Sequence, residues 1–285
     1  MRHYTLIASA LGLTMSAGLA SASDYNFELN AGLGKTTVES PLFDDQKITT
    51  TDVSGTYYFG GVNTRNHPFA EAAFLERASN ITLTYSNTRW RFDDKIYLDD
   101  IYLGEGDIKV DDRITSADVE LYLPNSIFYL GGGISEGKTK FRYRITEGQD
   151  TESGSFSEDS GTFWTLRAGI APVEGLLVWS EFFEDQELSD EWNINAKYVF
   201  GWGGNAVNLE AAYEADLEQD KVFLAADYYF DRSLSLGAIY ENYEDADNNF
   251  GLRARKYFTD KFALEASYLT SEDYDSYRVG VNLRF

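Results

Sequence analysis

The last ten residues, SYRVGVNLRF (276–285), carry the pattern that decides the fold. Tyr277, Val279, Val281, Leu283 and Phe285 share one parity, while Ser276, Arg278, Gly280, Asn282 and Arg284 share the other. Side chains of a strand alternate between faces, so this segment is apolar on one side and polar on the other. A soluble sandwich rarely leaves a terminal aromatic bare. A strand with lipid outside and water inside calls for this arrangement.

Upstream, the same alternation repeats. An apolar-x-Ala-x-Tyr unit recurs as Ile194-Ala196-Tyr198, Leu209-Ala211-Tyr213, Leu224-Ala226-Tyr228, Leu236-Ala238-Tyr240 and Leu264-Ala266-Tyr268. Each lies in a candidate strand of about ten residues, near the ~9–11 that cross a bilayer with tilt. The other parity carries Asn193, Asn195, Lys197, Glu210, Glu214, Asp227, Glu241, Arg253, Arg255 and Glu265. Short turns at 172–175, 201–205, 231–233 and 259–261 alternate with acidic loops at 184–191, 216–220, 244–249 and 271–275. Aromatics sort by strand direction: Tyr213, Tyr240 and Tyr268 at loop ends, Tyr198, Phe200, Tyr228, Phe230 and Phe258 at turn ends. Two interfacial girdles result, which a soluble core gives no reason to build.

The expected fold is therefore all-β: a transmembrane antiparallel up-and-down β-barrel of about fourteen strands, with twelve and sixteen as alternatives. The amino-terminal half is less regular. Residues 24–34 alternate cleanly, and further strands are expected near 51–60, 80–88, 114–123 and 127–146. The Asp-rich stretch 89–113 reads as a long external loop or an extended hairpin, and 147–160 as another long loop. Either stretch is a candidate constriction loop. Pro68 could open a short helix over Phe69–Arg77 with Phe69, Ala73 and Phe74 as its apolar face; a plain strand entry is the alternative.

The amino terminus reads as an export signal. Arg2 precedes an uncharged run from Tyr4 to about Leu19, and Ala20-Ser21-Ala22 fits a small-x-small cleavage site. The expected domains are thus a cleaved signal peptide, 1–22, and a barrel, 23–285. Cleavage falls between Ala22 and Ser23, with cleavage after Ala20 as the alternative. The outer membrane is the expected location.

Composition narrows the functions. The chain has no Cys, which excludes thiol catalysis and thiolate metal sites. A formal charge of −23 argues against nucleic acid as a partner. Mean hydropathy of −0.36 does not argue against a barrel, whose strands are only half apolar. Beyond residue 22, His67 is the single histidine, so a Ser–His site is disfavoured and no enzyme is expected. No loop has EF-hand spacing, and neither a metal nor a cofactor is called for.

Three segments carry a family resemblance: HPFAEAAFLERASNITLTY (67–85), ELYLPNSIFYLGGG (120–133) and the terminal VGVNLRF (279–285). Together they make the chain resemble the family described as putative general bacterial porins. The resemblance implies an exported outer-membrane barrel acting as a passive diffusion channel. It also implies that Tyr277, Val279, Val281, Leu283 and Phe285 form the signal read by barrel-assembly machinery.

In such a channel the inward parity would set selectivity. Arg142, Arg144 and Arg167 are expected on adjacent strands, the first two provided that the strand after Pro124 keeps or regains its register. Arg253, Arg255, Arg278 and Arg284 are expected near the carboxy end, facing Glu181, Glu210, Glu214, Asp227, Glu241 and Glu265. Basic and acidic walls on opposite sides would impose a transverse field on small hydrophilic solutes or ions. The plainer alternative is that these charges pair across strands. Bulky inward candidates, Tyr58, Tyr122, Tyr129, Trp179, Phe223 and Tyr229, would suit a blocked, structural or adhesive barrel instead. Outer-membrane lipid and lipopolysaccharide are the expected surroundings, and monomer and homotrimer both stay open.

Overall fold

Alternation and tight turns produce one continuous antiparallel meander that closes on itself. The computed structural model describes residues 24–40, 43–98, 101–147, 150–184, 192–215, 220–244 and 247–285. The expected cleavage site at Ala22 and Ser23 lies outside them, as do most of the acidic stretches 184–191 and 216–220. Fourteen strands follow in order: β1 (Asp24–Ser40), β2 (Phe43–Asn63), β3 (Asn80–Leu98), β4 (Ile101–Tyr122), β5 (Phe128–Glu147), β6 (Asp150–Ile170) and β7 (Leu176–Phe183). The second half comprises β8 (Trp192–Trp202), β9 (Asn205–Ala215), β10 (Lys221–Asp231), β11 (Leu234–Tyr243), β12 (Asn249–Thr259), β13 (Phe262–Thr270) and β14 (Tyr274–Arg284). Each pairs with its sequence neighbours, and β14 pairs with β1 to close the barrel.

Closure depends on the terminal alternation. Leu29, Ala31 and Leu33 lie opposite Leu283, Val281 and Val279. Phe285 N donates to Phe27 O at 3.1 Å, which fixes the last residue to the first strand. Every strand then has a paired neighbour on both sides, as hydrocarbon requires.

Burial is inverted relative to a soluble protein. Leu252 is 65% exposed, while its neighbour Arg253 is 9% exposed. Both girdles form as expected. At the turn end, Tyr198 stacks on Phe200 at 4.9 Å and Phe258 on Phe262 at 5.8 Å. At the loop end, Tyr240 meets Phe250 at 5.3 Å and Tyr268 meets Tyr277 at 4.8 Å.

The wall is uneven in height. Strands β8–β14 have 9 to 11 residues, enough to cross the bilayer, and β7 has 8. Strands β1–β6 have 17 to 22. The surplus on β4 is about ten residues, roughly 33 Å along the strand at ~3.3 Å per residue. This selects the extended hairpin over the loop for the Asp-rich stretch and corrects the long loop expected at 147–160. Residues 89–98 and 101–113 form the upper part of the β3–β4 hairpin, and residues 150–159 pair with 138–147 rather than forming a loop. Neither stretch is a constriction loop, because both spend their backbone bonds on the sheet.

The helix is shorter than expected. A 3-10 turn, Phe69–Glu71, runs into one α-turn, α1 (Ala72–Leu75). It ends where Arg77 adopts φ 48°, with Ala78 N bonded to Ala73 O and Arg77 N to Phe74 O. That is a Schellman stop with arginine in place of the usual glycine. Phe69, Ala73 and Phe74 do not share a face. Phe69 meets Tyr257, Ala73 packs with Tyr25 and Tyr58, and Phe74 packs with Tyr129 and Leu177.

Candidate functional site

Pairing register fixes which side chains line the lumen, because residues opposite one another share a face. Arg167 lies opposite Glu181, Arg253 opposite Ser267, and Arg255 opposite Glu265. Asp227 lies opposite Asn208, Lys221 opposite Glu214, and Phe223 opposite Glu241. With Glu210 beside Lys197 and Arg278 beside Ser267, ten of the twelve expected pore-lining residues stand on the inner face.

Arg142 and Arg144 do not. Strand β5 pairs with β4 without a shift from Tyr129 to Thr146, so both arginines keep the face of Leu130 and Ile134. That is the outer face, above the lipid band, where Arg142 binds Asp111. Converting both to Gln should leave the reversal potential under a salt gradient unchanged; a shift would return them to the lumen.

The inward charges are not divided between opposite walls. The cations Arg167, Lys197, Arg253, Arg255 and Arg278 pair with carboxylates nearby, so the expected transverse field gives way to local neutralisation. Three pairs share a construction in which an arginine reaches a carboxylate two strands away across a glycine. On β12, Arg253 Nε and Nη2 donate to the Asp227 carboxylate of β10 at 2.7 and 2.5 Å. Gly237 of β11 lies opposite both residues, and a Cβ there would overlap Asp227 Oδ1 and stand 2.7 Å from Ala226 O. On β14, Arg278 Nη2 donates to Asp52 Oδ2 of β2 at 2.6 Å. A Cβ on the intervening Gly32 of β1 would stand 2.8 Å from that oxygen. On β6, Arg167 bonds Glu181 of β7 at 2.8 Å and reaches Asp118 of β4 at 3.3 Å over Gly131 and Gly133 of β5. Glycine leaves no side chain beneath the pair, so each guanidinium lies flat along the wall.

The turn-side mouth is crossed by residues 64–79, between β2 and β3. Glu71 is its anchor and is 2% exposed. The Tyr229 hydroxyl of β10 donates to one carboxylate oxygen, and Lys197 Nζ of β8 lies 2.8 Å from the other. Arg255 of β12 is 4.0 Å away. Backbone atoms add further ties. Arg284 Nη2 donates to Phe69 O at 2.8 Å, Arg232 Nε to His67 O at 2.9 Å, and Phe69 N to Arg232 O at 2.7 Å. At the far side, Arg77 Nη2 donates to Ala171 O at 2.8 Å and Val173 O at 3.1 Å. The segment thus touches β1 and β2 on one side and the β6–β7 turn, β8, β10, β12 and β14 on the others.

Apolar contacts complete the crossing. Ala72 and Ala73 pack with Tyr25, Tyr58 and Val62, and Phe74 packs against the cluster of Tyr129, Ala171 and Leu177. The bulky inward aromatics expected from the sequence, Tyr58, Tyr129, Phe223 and Tyr229, are all buried. Tyr122 lies 5.1 Å from Tyr129, and Trp179 packs beside it. His67 bonds Glu76 at 2.8 Å within the crossing segment. The anchor role of Glu71 was missed in the sequence. The available signal was length: sixteen residues stand where the other turns on this side have a handful.

Comparisons with known proteins agree with this architecture. Among solved structures, the chain is similar to the outer membrane protein Omp33 of Acinetobacter baumannii, with a TM-score of 0.65 at 19% identity, covering 93% of this chain and 100% of that one. It is also similar to the toluene transporter TodX of P. putida, with a TM-score of 0.59 at 8% identity, covering 93% of this chain and 91% of that one. At these identities the likeness shows the fold alone. No curated protein sequence matches the chain. The model of one family, described as "Putative general bacterial porin", matches residues 1–285, and this outer-membrane barrel belongs to that family.

Proposed function

We propose that this protein is a diffusion channel for small hydrophilic solutes or ions, and that its conducting state requires residues 64–79 to withdraw from the turn-side mouth. The observation that carries the reading is the anchoring of Glu71, a single carboxylate shared by Lys197, Tyr229 and Arg255. A lumen lined by paired charges is hydrophilic yet carries little net field, which suits passage of polar solutes without strong charge preference. Fourteen strands fall between the ~8 whose interior side chains fill and the ~16–18 that leave an aqueous channel, so the crossing segment decides the aperture. Planar-bilayer recording of the refolded barrel tests this. Brief openings from a mostly closed baseline are expected, with a reversal potential near zero under a salt gradient.

The same crossing favours a second reading, a non-conducting structural or adhesive barrel. Complete absence of openings from correctly folded, heat-modifiable protein would select it.

Export through a signal peptide cleaved between Ala22 and Ser23 belongs to the same proposal, as does assembly through the terminal strand. Val281, Leu283 and Phe285 are 38–44% exposed toward lipid. Deleting Phe285 should lower the amount of barrel inserted in cells while leaving refolding in detergent largely intact. Normal insertion would remove the terminal aromatic from the assembly signal.

A further inference from the structure

The upper part of the tall wall carries an arrangement that the channel reading does not use. On its outer face, Lys47 of β2, Arg91 of β3, Lys109 of β4 and Arg142 of β5 stand opposite one another in a single rung. Like charges directly opposite on neighbouring strands are destabilising, and here four are consecutive. The next rung toward the membrane places Arg89, Asp111 and Lys140 side by side, and the one below it adds Arg113 and Lys138. On β2–β5 these three rungs hold eight of the chain's 24 Lys and Arg residues and one carboxylate, Asp111, while Asp159 of β6 stands opposite Lys138 at the end of the third. This occurs in a protein of formal charge −23.

Internal pairing meets only part of that charge. Asp111 is 2% exposed and is shared by Arg89 at 2.8 Å and by Arg142. Lys109 binds Asp107 of the following rung, and Lys138 binds Asp159 of β6 at 2.7 Å. Among the described residues, no carboxylate is bonded to Arg91, Arg113 or Lys140. Position supplies the second observation. The rungs begin one same-face step beyond Tyr85, Thr115 and Glu136, which themselves adjoin the rung of Leu83, Ala117 and Ile134, where Leu83 and Ile134 are exposed apolar residues. On the outer face of an outer-membrane barrel, that is the level of the headgroups of the external leaflet.

We propose that this cationic face binds the phosphorylated headgroup of the outer-leaflet glycolipid, with its phosphates lying across the rung Lys47–Arg91–Lys109–Arg142. Phosphates there would offset the like-charge repulsion, and the planar guanidinium groups of Arg91 and Arg142 would grip them in forked geometry. The site differs in kind from the acidic loops, which could reach the same lipid only through divalent cations.

The test titrates the refolded full barrel in neutral detergent with bisphosphorylated lipid A, measuring heat by calorimetry. Each surface cation contributes about one kcal/mol toward an anionic headgroup layer, so the triple variant Arg91→Gln/Lys109→Gln/Arg142→Gln should bind roughly 100-fold more weakly. Dephosphorylated lipid A should bind wild type as weakly, and excess inorganic phosphate should not displace the lipid. Should the triple variant fail to fold, Lys138→Gln/Lys140→Gln carries the same test with a smaller loss. Wild-type affinity in a folded variant, or equal affinity for the dephosphorylated lipid, would overturn the proposal. Full displacement by inorganic phosphate would instead mark a soluble-anion site and overturn the assignment to lipid.

Discussion

Replacing residues 65–78 with a four-residue Gly-Asn-containing turn should raise the single-channel conductance of the refolded barrel roughly tenfold, since a ~14-strand wall is wider than one its side chains can fill. The expectation follows from where the segment sits. Its ties reach β8, β10, β12 and β14 as well as the β6–β7 turn, so it spans the mouth rather than lining one side. Glu71→Ala offers a milder version. It strands Lys197 and Arg255 without the carboxylate they share and leaves the Tyr229 hydroxyl without its acceptor. Loss of one member of a buried charge cluster typically costs ~3–5 kcal/mol, enough to shift a closed segment toward an undocked one. Conductance unchanged by the turn replacement would place the barrier elsewhere in the lumen and remove the segment from the mechanism.

Gly237→Val should destabilise the barrel by about 3 kcal/mol or more, the range expected when a buried ion pair is broken. The added side chain collides with the Asp227 carboxylate and approaches the Ala226 carbonyl, which belongs to the neighbouring strand and cannot step aside. Arg253 then loses its bidentate partner while remaining buried. Urea unfolding from lipid vesicles reads the effect, with Gly60→Ala as the control because nothing lies within 4 Å of a Cβ at that position. Equal midpoints for the two variants would show that the pair tolerates a side chain beneath it.

Strands β7–β14 were legible because none is much longer than the bilayer is thick. One face meets lipid and the other water along nearly the whole length, so polarity alternates without interruption. In β6 the stretch Asp150–Ser160, DTESGSFSEDS, is bathed by water on both faces beyond the membrane and shows no such period. It reads as a loop for that reason, and strands β2 to β5 were shortened for the same one. Arg142 and Arg144 were misplaced because the polarity of an extramembranous strand does not reveal which face is which; only the unbroken pairing with β4 does. The pairing of inward charges was legible as an alternative but not as a fact. Parity names the face, whereas a partner two strands away depends on which intervening residue is glycine. Glu71 was invisible in its role because its partners are distant in sequence.

That distance bears on the order of assembly. The bond between Tyr229 and Glu71 joins residues 158 positions apart, and the one between Arg284 and Phe69 joins residues 215 apart. Contacts of such long range form late, after the chain between them has been organised. Lys197, Tyr229, Arg255 and Arg284 come from four strands of the second half, so the pocket that receives Glu71 does not exist until those strands have joined. A half-built barrel consequently holds the segment between β2 and β3 undocked, with a charged residue facing water instead of a buried nest. The seal across the mouth is then a property of the finished cylinder, and its formation reports that the last strand has found the first.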